Sequence, residues 1–289
     1  ERETADALVL GAGPAALAAA ARLVAAGYDP LVVSETVGGK LLCVKALDDG
    51  RSGLAAARAL LDGVPGWRQR RRPGGEVDAL ELDGQQKTLR GSGRTYTTTG
   101  PLVIALGASV QHFDLQTELD FLDQGLHYAA DWVEAADKNV TVYASRGGAA
   151  RAVRAALQVR SRGNAVTLIA PDELSDGQHG QLKAAGVRAL QGRVTETRSE
   201  GDPPRITAVR ARDVEVTTDV LIWNEPFRSR GKGLFQAAFG TEWLRVDARG
   251  RVLDAAGEIV PGVFGAGDAR ETESRSLAEA LASVERLAL

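Results

Sequence analysis

Short apolar runs alternate along this chain with glycine-marked turns and helix-periodic stretches. Ala7–Leu10 reads ALVL, glycines follow, an Ala-rich stretch runs from Ala15 to Ala26, and a second apolar run, PLVVSE, ends at Glu35. This is the pattern of strand, tight turn, helix, strand. It recurs from Val140 to Glu173 as VTVYA, AARAVRAALQVRS and AVTLIAPDE. Strands separated by helices of this length pair in parallel through crossover connections. Finding the unit twice predicts an α/β fold with two nucleotide-binding-like domains of one architecture.

Between these units the period changes to that of strands. EVDALELDGQQKTLR and RTYTTTGPLVIALG predict a meander that ends in a buried strand, LVIAL. VRALQGRVTETR, PRITAVRARDVEVTTDVLIW and LRVDARGRVLD are patterned similarly. The C-terminal part reads VPGVFGAGD and then a helix, SLAEALASVERLAL, from Ser276. Arg68–Arg72, RQRRR, is predicted to be a basic loop because Pro and Gly flank it.

Composition narrows the classes. A chain of 289 residues with 44% hydrophobic and 25% charged positions is long enough for two ordinary domains. A net charge of −3 favours neither nucleic acid nor an anionic membrane. One cysteine excludes an internal disulfide or a Cys-based cluster within these residues, and three scattered histidines offer little to a metal. No apolar run is long enough to span a bilayer, and ERETADALVL lacks the build of a signal peptide, so the expected compartment is cytoplasmic. The chain starts at Glu1 and holds no methionine, so the native N-terminus is expected to differ.

The sharpest chemical signal is GAGPAA, Gly11 to Ala16, directly after an apolar strand and opening a helix. Gly11 allows the tight turn, Gly13 lets the backbone approach a pyrophosphate, and Ala16 is small enough for helix and strand to pack closely. Pro14 and Ala15 stand where the helix opens, and its free N–H groups and positive dipole end suit phosphate oxygens. Glu35 ends the next strand, 19 residues after Ala16, where a carboxylate accepts hydrogen bonds from a ribose.

Four segments together resemble the thioredoxin-reductase-like branch of the FAD-dependent pyridine nucleotide-disulfide oxidoreductases. They are GAGPAA, SETVGGKL with Glu35, Gly38, Gly39, Lys40 and Leu41, LVIALGAS with Ala105, Leu106 and Gly107, and VPGVFGAGD with Gly267 and Asp268. The resemblance implies that the dinucleotide is FAD, that Asp268 hydrogen-bonds its ribityl chain, and that the helix near Ser276 points its N-terminus at the flavin. It also implies a three-layer, Rossmann-like FAD domain built from residues 1–112 and 225–289, with a smaller NAD(P)-binding-like domain, 113–224, inserted. A homodimer and an oxidoreductase activity would follow from the same source. The residue before Gly107 is Leu106, where the family carries threonine.

Two family features are altered. The redox dithiol would fall in GLHYAADWVEAADKNVTVYAS, and the expected cysteine positions hold Ala129 and Trp132. HYAAD is similar instead to ferredoxin–NADP reductases on the same scaffold. After VTVYA the chain reads ASRGGAARA, with Ala144 and Ser145 at the glycine positions and Gly147 and Gly148 later. A Cβ at the first turn position opposes phosphate approach, which argues against NADH or NADPH. Asp172 or Glu173 would favour NADH over NADPH if such a nucleotide binds.

Three lesser candidates remain. Cys43, beyond the GG segment, is either a single redox cysteine or a small buried hydrophobe. The Arg68–Arg72 run is either a solvated loop or a docking site for an acidic, ferredoxin- or flavodoxin-like electron carrier. His127, Tyr128 and Trp132 would either line a pocket beside the flavin or pack. The expected function is an FAD-dependent oxidoreductase that passes electrons through the flavin without a CxxC relay. The alternatives are a non-catalytic protein holding flavin as a structural or sensing ligand, and a disulfide reductase using Cys43. No catalytic residue is assigned beyond that cysteine.

Overall fold

We obtained a computed structural model that describes all residues except 44–50, 74–76, 111–123, 131–132, 134–135, 145–146, 203, 225–226 and 272–276. The chain begins with β1 (Arg2–Thr4) and β2 (Ala7–Leu10), and β2 is buried throughout. There follow α1 (Pro14–Ala25), β3 (Pro30–Ser34), a 3-10 turn at Gly39–Cys43, α2 (Gly53–Asp62), α3 (Trp67–Arg70) and β4 (Arg71–Pro73). A meander of β5 (Ala79–Asp83), β6 (Gln86–Gly91) and β7 (Arg94–Thr98) leads to β8 (Leu102–Ile104) and β9 (Ala108–Val110).

The middle of the chain holds β10 (Leu126–His127), β11 (Asn139–Ala144), α4 (Ala149–Ser161), β12 (Ala165–Ala170), α5 (Asp176–Ala184) and β13 (Arg188–Gln191). It continues with the antiparallel β14 (Val194–Glu200), β15 (Arg205–Ala211) and β16 (Val214–Thr217), then β17 (Val220–Asn224). The last stretch contains β18 (Phe227–Ser229), α6 (Lys232–Phe239), β19 (Arg245–Val246), β20 (Arg251–Leu253), β21 (Ile259–Gly265), a 3-10 turn at Gly267–Ala269 and α7 (Leu277–Glu285).

Two compact units result. The first comprises Glu1–Cys43, Arg51–Ser109 and Arg228–Leu289, and the second lies within Val110–Phe227. The first unit has a seven-stranded sheet, β19-β20-β21-β8-β2-β3-β4, whose strands from β21 to β4 run parallel. A second sheet, β1-β7-β6-β5, covers one face. Alternate residues of β2 feed two cores: Ala7 and Val9 pack with α1 and α7, while Leu8 and Leu10 pack with Leu89, Tyr96 and Phe235. The second unit repeats the plan with β10-β17-β11-β12-β13, all parallel, and the three-stranded β14-β15-β16.

Some elements differ from the sequence expectation. Arg68–Arg72 is not a loop: its first part is α3, and Arg71–Pro73 forms the edge strand β4, paired with Val32–Ser34. Main-chain bonds to β3 hold it, so its polar side chains are no obstacle. VRALQ and VLIWN join the parallel sheet as β13 and β17 instead of a meander, because β17 is buried along its whole length. Leu106 packs against the core that contains Leu8 and Leu10. None of the described helices is long and apolar enough to cross a membrane.

Candidate functional site

The dinucleotide motif lies at the carboxyl edge of the first unit's parallel strands. Leu10 pairs with Ile104 and Val33, and Ile104 pairs with Gly265, so Gly11, Ala105 and Ala266 leave the sheet side by side. Open α/β sheets bind ligands in the crevice outside this edge. Gly11 has φ +113, and a Cβ there would run into the carbonyl oxygen of Ala105. Its amide donates to the carbonyl of Val33 at 2.9 Å, which fixes the turn.

Gly13 is the N-cap of α1 and has ordinary backbone angles, so strain does not demand glycine there. A Cβ would meet nothing within 4 Å and would project into open space. That is the geometry expected where backbone must approach a ligand closely. No side chain caps the helix, and Pro14 occupies its first turn, so the next amides face outward without a capping oxygen. These features fit a bound pyrophosphate.

Two other turns close on the same helix mouth. A Cβ on Gly39 (φ +51) would lie 3.1 Å from the Cα of Gly13, and one on Gly267 (φ +63) would lie 2.7 Å from the Cβ of Ala15. Gly38 donates from its amide to the carbonyl of Ala12 at 2.8 Å, and Leu41 is fully buried behind it. Lys40 Nζ and Asp268 Oδ2 form a 2.9 Å ion pair, with side chains only 18% and 13% exposed. This pair links the two turns across 228 residues of sequence. Gly107 (φ +75) again has open space before its missing Cβ.

A polar network fixes the second turn to α7. The amide of Gly267 donates to Ser283 Oγ at 2.8 Å. Arg270, almost wholly buried, donates to the carbonyl of Gly267 at 3.1 Å and to Glu279 at 2.9 Å. Hydrogen bonds from Arg270 and then Arg286 hold the Glu279 carboxyl below its ordinary pKa, against the opposing effect of burial. Sequence reasoning singled out neither Arg270 nor Glu279, because only the folded helix brings them together. Ser276 and Trp132 lie outside the described residues.

Glu35 follows β3 and is exposed. Its main-chain oxygen accepts a 3.2 Å hydrogen bond from Arg71 Nη2 on neighbouring β4. Arg70 pairs with Asp29, and Arg72 forks onto Glu3 through Nε at 2.7 Å and through Nη2. Much of the basic run is therefore used internally, whereas Arg68 is exposed. Cys43 closes the 3-10 turn that begins at Gly39.

The corresponding turn of the second unit is different. Ala144, fully buried, ends β11, and Ser145 lies outside the described residues. Gly147 (φ +69) donates its amide to Asp172 Oδ2 at 2.7 Å, and Gly148 caps α4. A carboxylate thus sits on a turn amide that could otherwise receive an anion. Asn224 pairs with Ala144 across the switch point between β11 and β17, and its buried Nδ2 has no partner among the described residues. His127 lies on β10, Tyr128 packs in a core with Tyr143 and Trp223, and Ala129 is half-buried.

Comparison with known proteins agrees with this architecture. The thioredoxin reductase of Mycolicibacterium smegmatis is 26% identical, over 91% of this chain and 88% of its own. Thioredoxin reductase from Streptococcus pyogenes has the same fold, with a TM-score of 0.79 at 20% identity over 98% of this chain and 95% of its own. That from Giardia duodenalis gives 0.78 at 17% identity over 99% and 96%. The model of the pyridine nucleotide-disulphide oxidoreductases matches residues 5–284, and the chain belongs to that family.

Proposed function

We propose that this protein is an FAD-dependent oxidoreductase whose flavin exchanges electrons with its partner directly, without a CxxC relay. The observation that carries the reading is the convergence of Gly13, Gly39 and Gly267 on the mouth of α1, closed by the Lys40–Asp268 pair. Bound FAD supplies reversible acceptance of two electrons. The chain's part is to hold and orient it. Gly11 sets the turn, Gly13 would admit the pyrophosphate to the uncapped amides of α1, and Glu35 would accept from the adenosine ribose. Asp268 is the acceptor for the ribityl hydroxyls, oriented by Lys40 and by the network behind Gly267.

The 289 residues contain one cysteine, so they cannot form a dithiol pair. The electron partner is then a pyridine nucleotide, NADH in preference to NADPH because Asp172 and Glu173 would repel a 2′-phosphate, or a small ferredoxin- or flavodoxin-like protein. A homodimer in the cytoplasm completes this reading. The Asp172–Gly147 bond favours a second reading, in which the second unit has lost its nucleotide and flavin serves a structural or sensing role. Anaerobic titration with NADH, NADPH and reduced ferredoxin separates the two. We expect at least one donor to bleach the flavin band; failure of all three would leave only the non-catalytic reading. Cys43→Ser is expected to preserve that reduction and any turnover with small disulfides. Loss of disulfide turnover alone would instead identify a single-cysteine reductase.

A further inference from the structure

The arginine run that sequence reading treated as a loop or a docking patch holds one side chain in an unusual position. Arg71 lies on β4 beside Val32 of β3, and its guanidinium reaches forward to donate from Nη2 to the main-chain oxygen of Glu35. Its Nε is buried and has no hydrogen-bond partner among the described residues. A buried donor without an acceptor is destabilising, a penalty that solvation would relieve if the group served as a surface docking cation. The neighbouring Arg70 and Arg72 have acidic partners, Asp29 and Glu3; among the described residues Arg71 has only a backbone carbonyl.

The order of groups along the sheet edge indicates what this guanidinium meets. Pyrophosphate belongs at the mouth of α1, above β2, and the ribose of the same nucleotide belongs at Glu35, at the end of β3. Continuing in the same direction, the base comes next, over β4. A guanidinium is planar, permanently charged and weakly hydrated, and it stacks on aromatic faces or donates to ring nitrogens. Its bond to the carbonyl of Glu35 ties it to the residue that would hold the ribose.

We propose that Arg71 is a binding residue for the adenine end of the cofactor, and that it contributes to selection of an adenine dinucleotide over FMN. The proposal rests on the flavoprotein reading above. It reassigns Arg71 from partner docking to cofactor recognition and leaves Arg68 as the exposed cation of the run.

The test compares wild type, Arg71→Met, Arg71→Lys and Arg68→Ala by titrating apoprotein with FAD, and by displacing FAD with ADP. FMN is titrated in parallel. For Arg71→Met we expect FAD and ADP to bind about five- to ten-fold more weakly, the scale of a shielded cation–aromatic contact. Arg71→Lys should recover only part of this, since it restores charge without the planar fork. Arg68→Ala should match wild type, and FMN binding should be the same in all four proteins. Equal FAD and ADP affinity in wild type and both Arg71 variants would overturn the proposal, as would an equal loss of FMN and FAD. Thermal unfolding of the apoproteins identifies a variant that fails to fold, in which case Arg71→Lys carries the comparison. If wild type itself binds neither FAD nor ADP, it is the underlying flavoprotein reading that fails.

Discussion

Gly11 and Gly13 belong to one motif, yet the structure assigns them different jobs. Gly11 is required by the fold: its φ of +113 and the adjacent Ala105 carbonyl exclude any side chain. Gly13 has ordinary angles and empty space ahead of it, so the fold does not require glycine there, whereas the proposed pyrophosphate contact would. Gly11→Ala is therefore expected to lower stability by about 2 kcal/mol or more. Gly13→Ala should leave thermal unfolding of the apoprotein near that of wild type while weakening FAD binding by at least about ten-fold, or about 1.4 kcal/mol. Calorimetry and FAD titration of both variants check this; equal losses of stability would contradict the division. These glycines were legible in the sequence because strand, turn and helix follow one another within a few residues. The Lys40–Asp268 pair was not, since two distant turns had to meet before it existed.

At the scale of elements, α7 is held from both ends. Arg22 of α1 donates to the carbonyls of Val284, near its C-terminus, and of Leu287 beyond it, at 3.2 Å for the latter. Glu279 near its start anchors Arg270 and Arg286. The folded-state pKa of Glu279 is lowered, so its contribution to stability is complete above the carboxyl's ordinary value and disappears as pH falls through the folded-state value. Glu279→Gln is expected to cost about 1 kcal/mol at neutral pH, discounted because the carboxyl is partly exposed. Urea unfolding should show this gap closing as the pH enters the carboxylate range; a gap that widens with acid would contradict it. Sequence patterning found α1, α4 and α7 because their apolar positions recur at helical spacing. It missed β4, because an edge strand rich in arginine carries no hydrophobic signal and is defined by the partner strand alone.

The whole molecule repeats one architecture but not one ligand edge. Both units place a parallel sheet, a glycine turn and a crossover helix in the same order, and that repetition was legible from the alternating apolar runs. Which strands join which sheet was less so. β17 pairs with β11, far away in sequence, and β13 pairs with β12 across a helix, and local alternation reveals neither. In the first unit the turn is open, uncapped and flanked by a shielded cation–carboxylate pair; in the second an internal carboxylate already engages the turn amide. FAD binding by the first unit is therefore the central proposal. Its most direct test is the absorption spectrum of the purified protein, followed by heat release and identification of the bound chromophore. We predict a yellow protein that releases FAD at about one per chain. A colourless protein that also takes up no FAD on reconstitution would contradict the account.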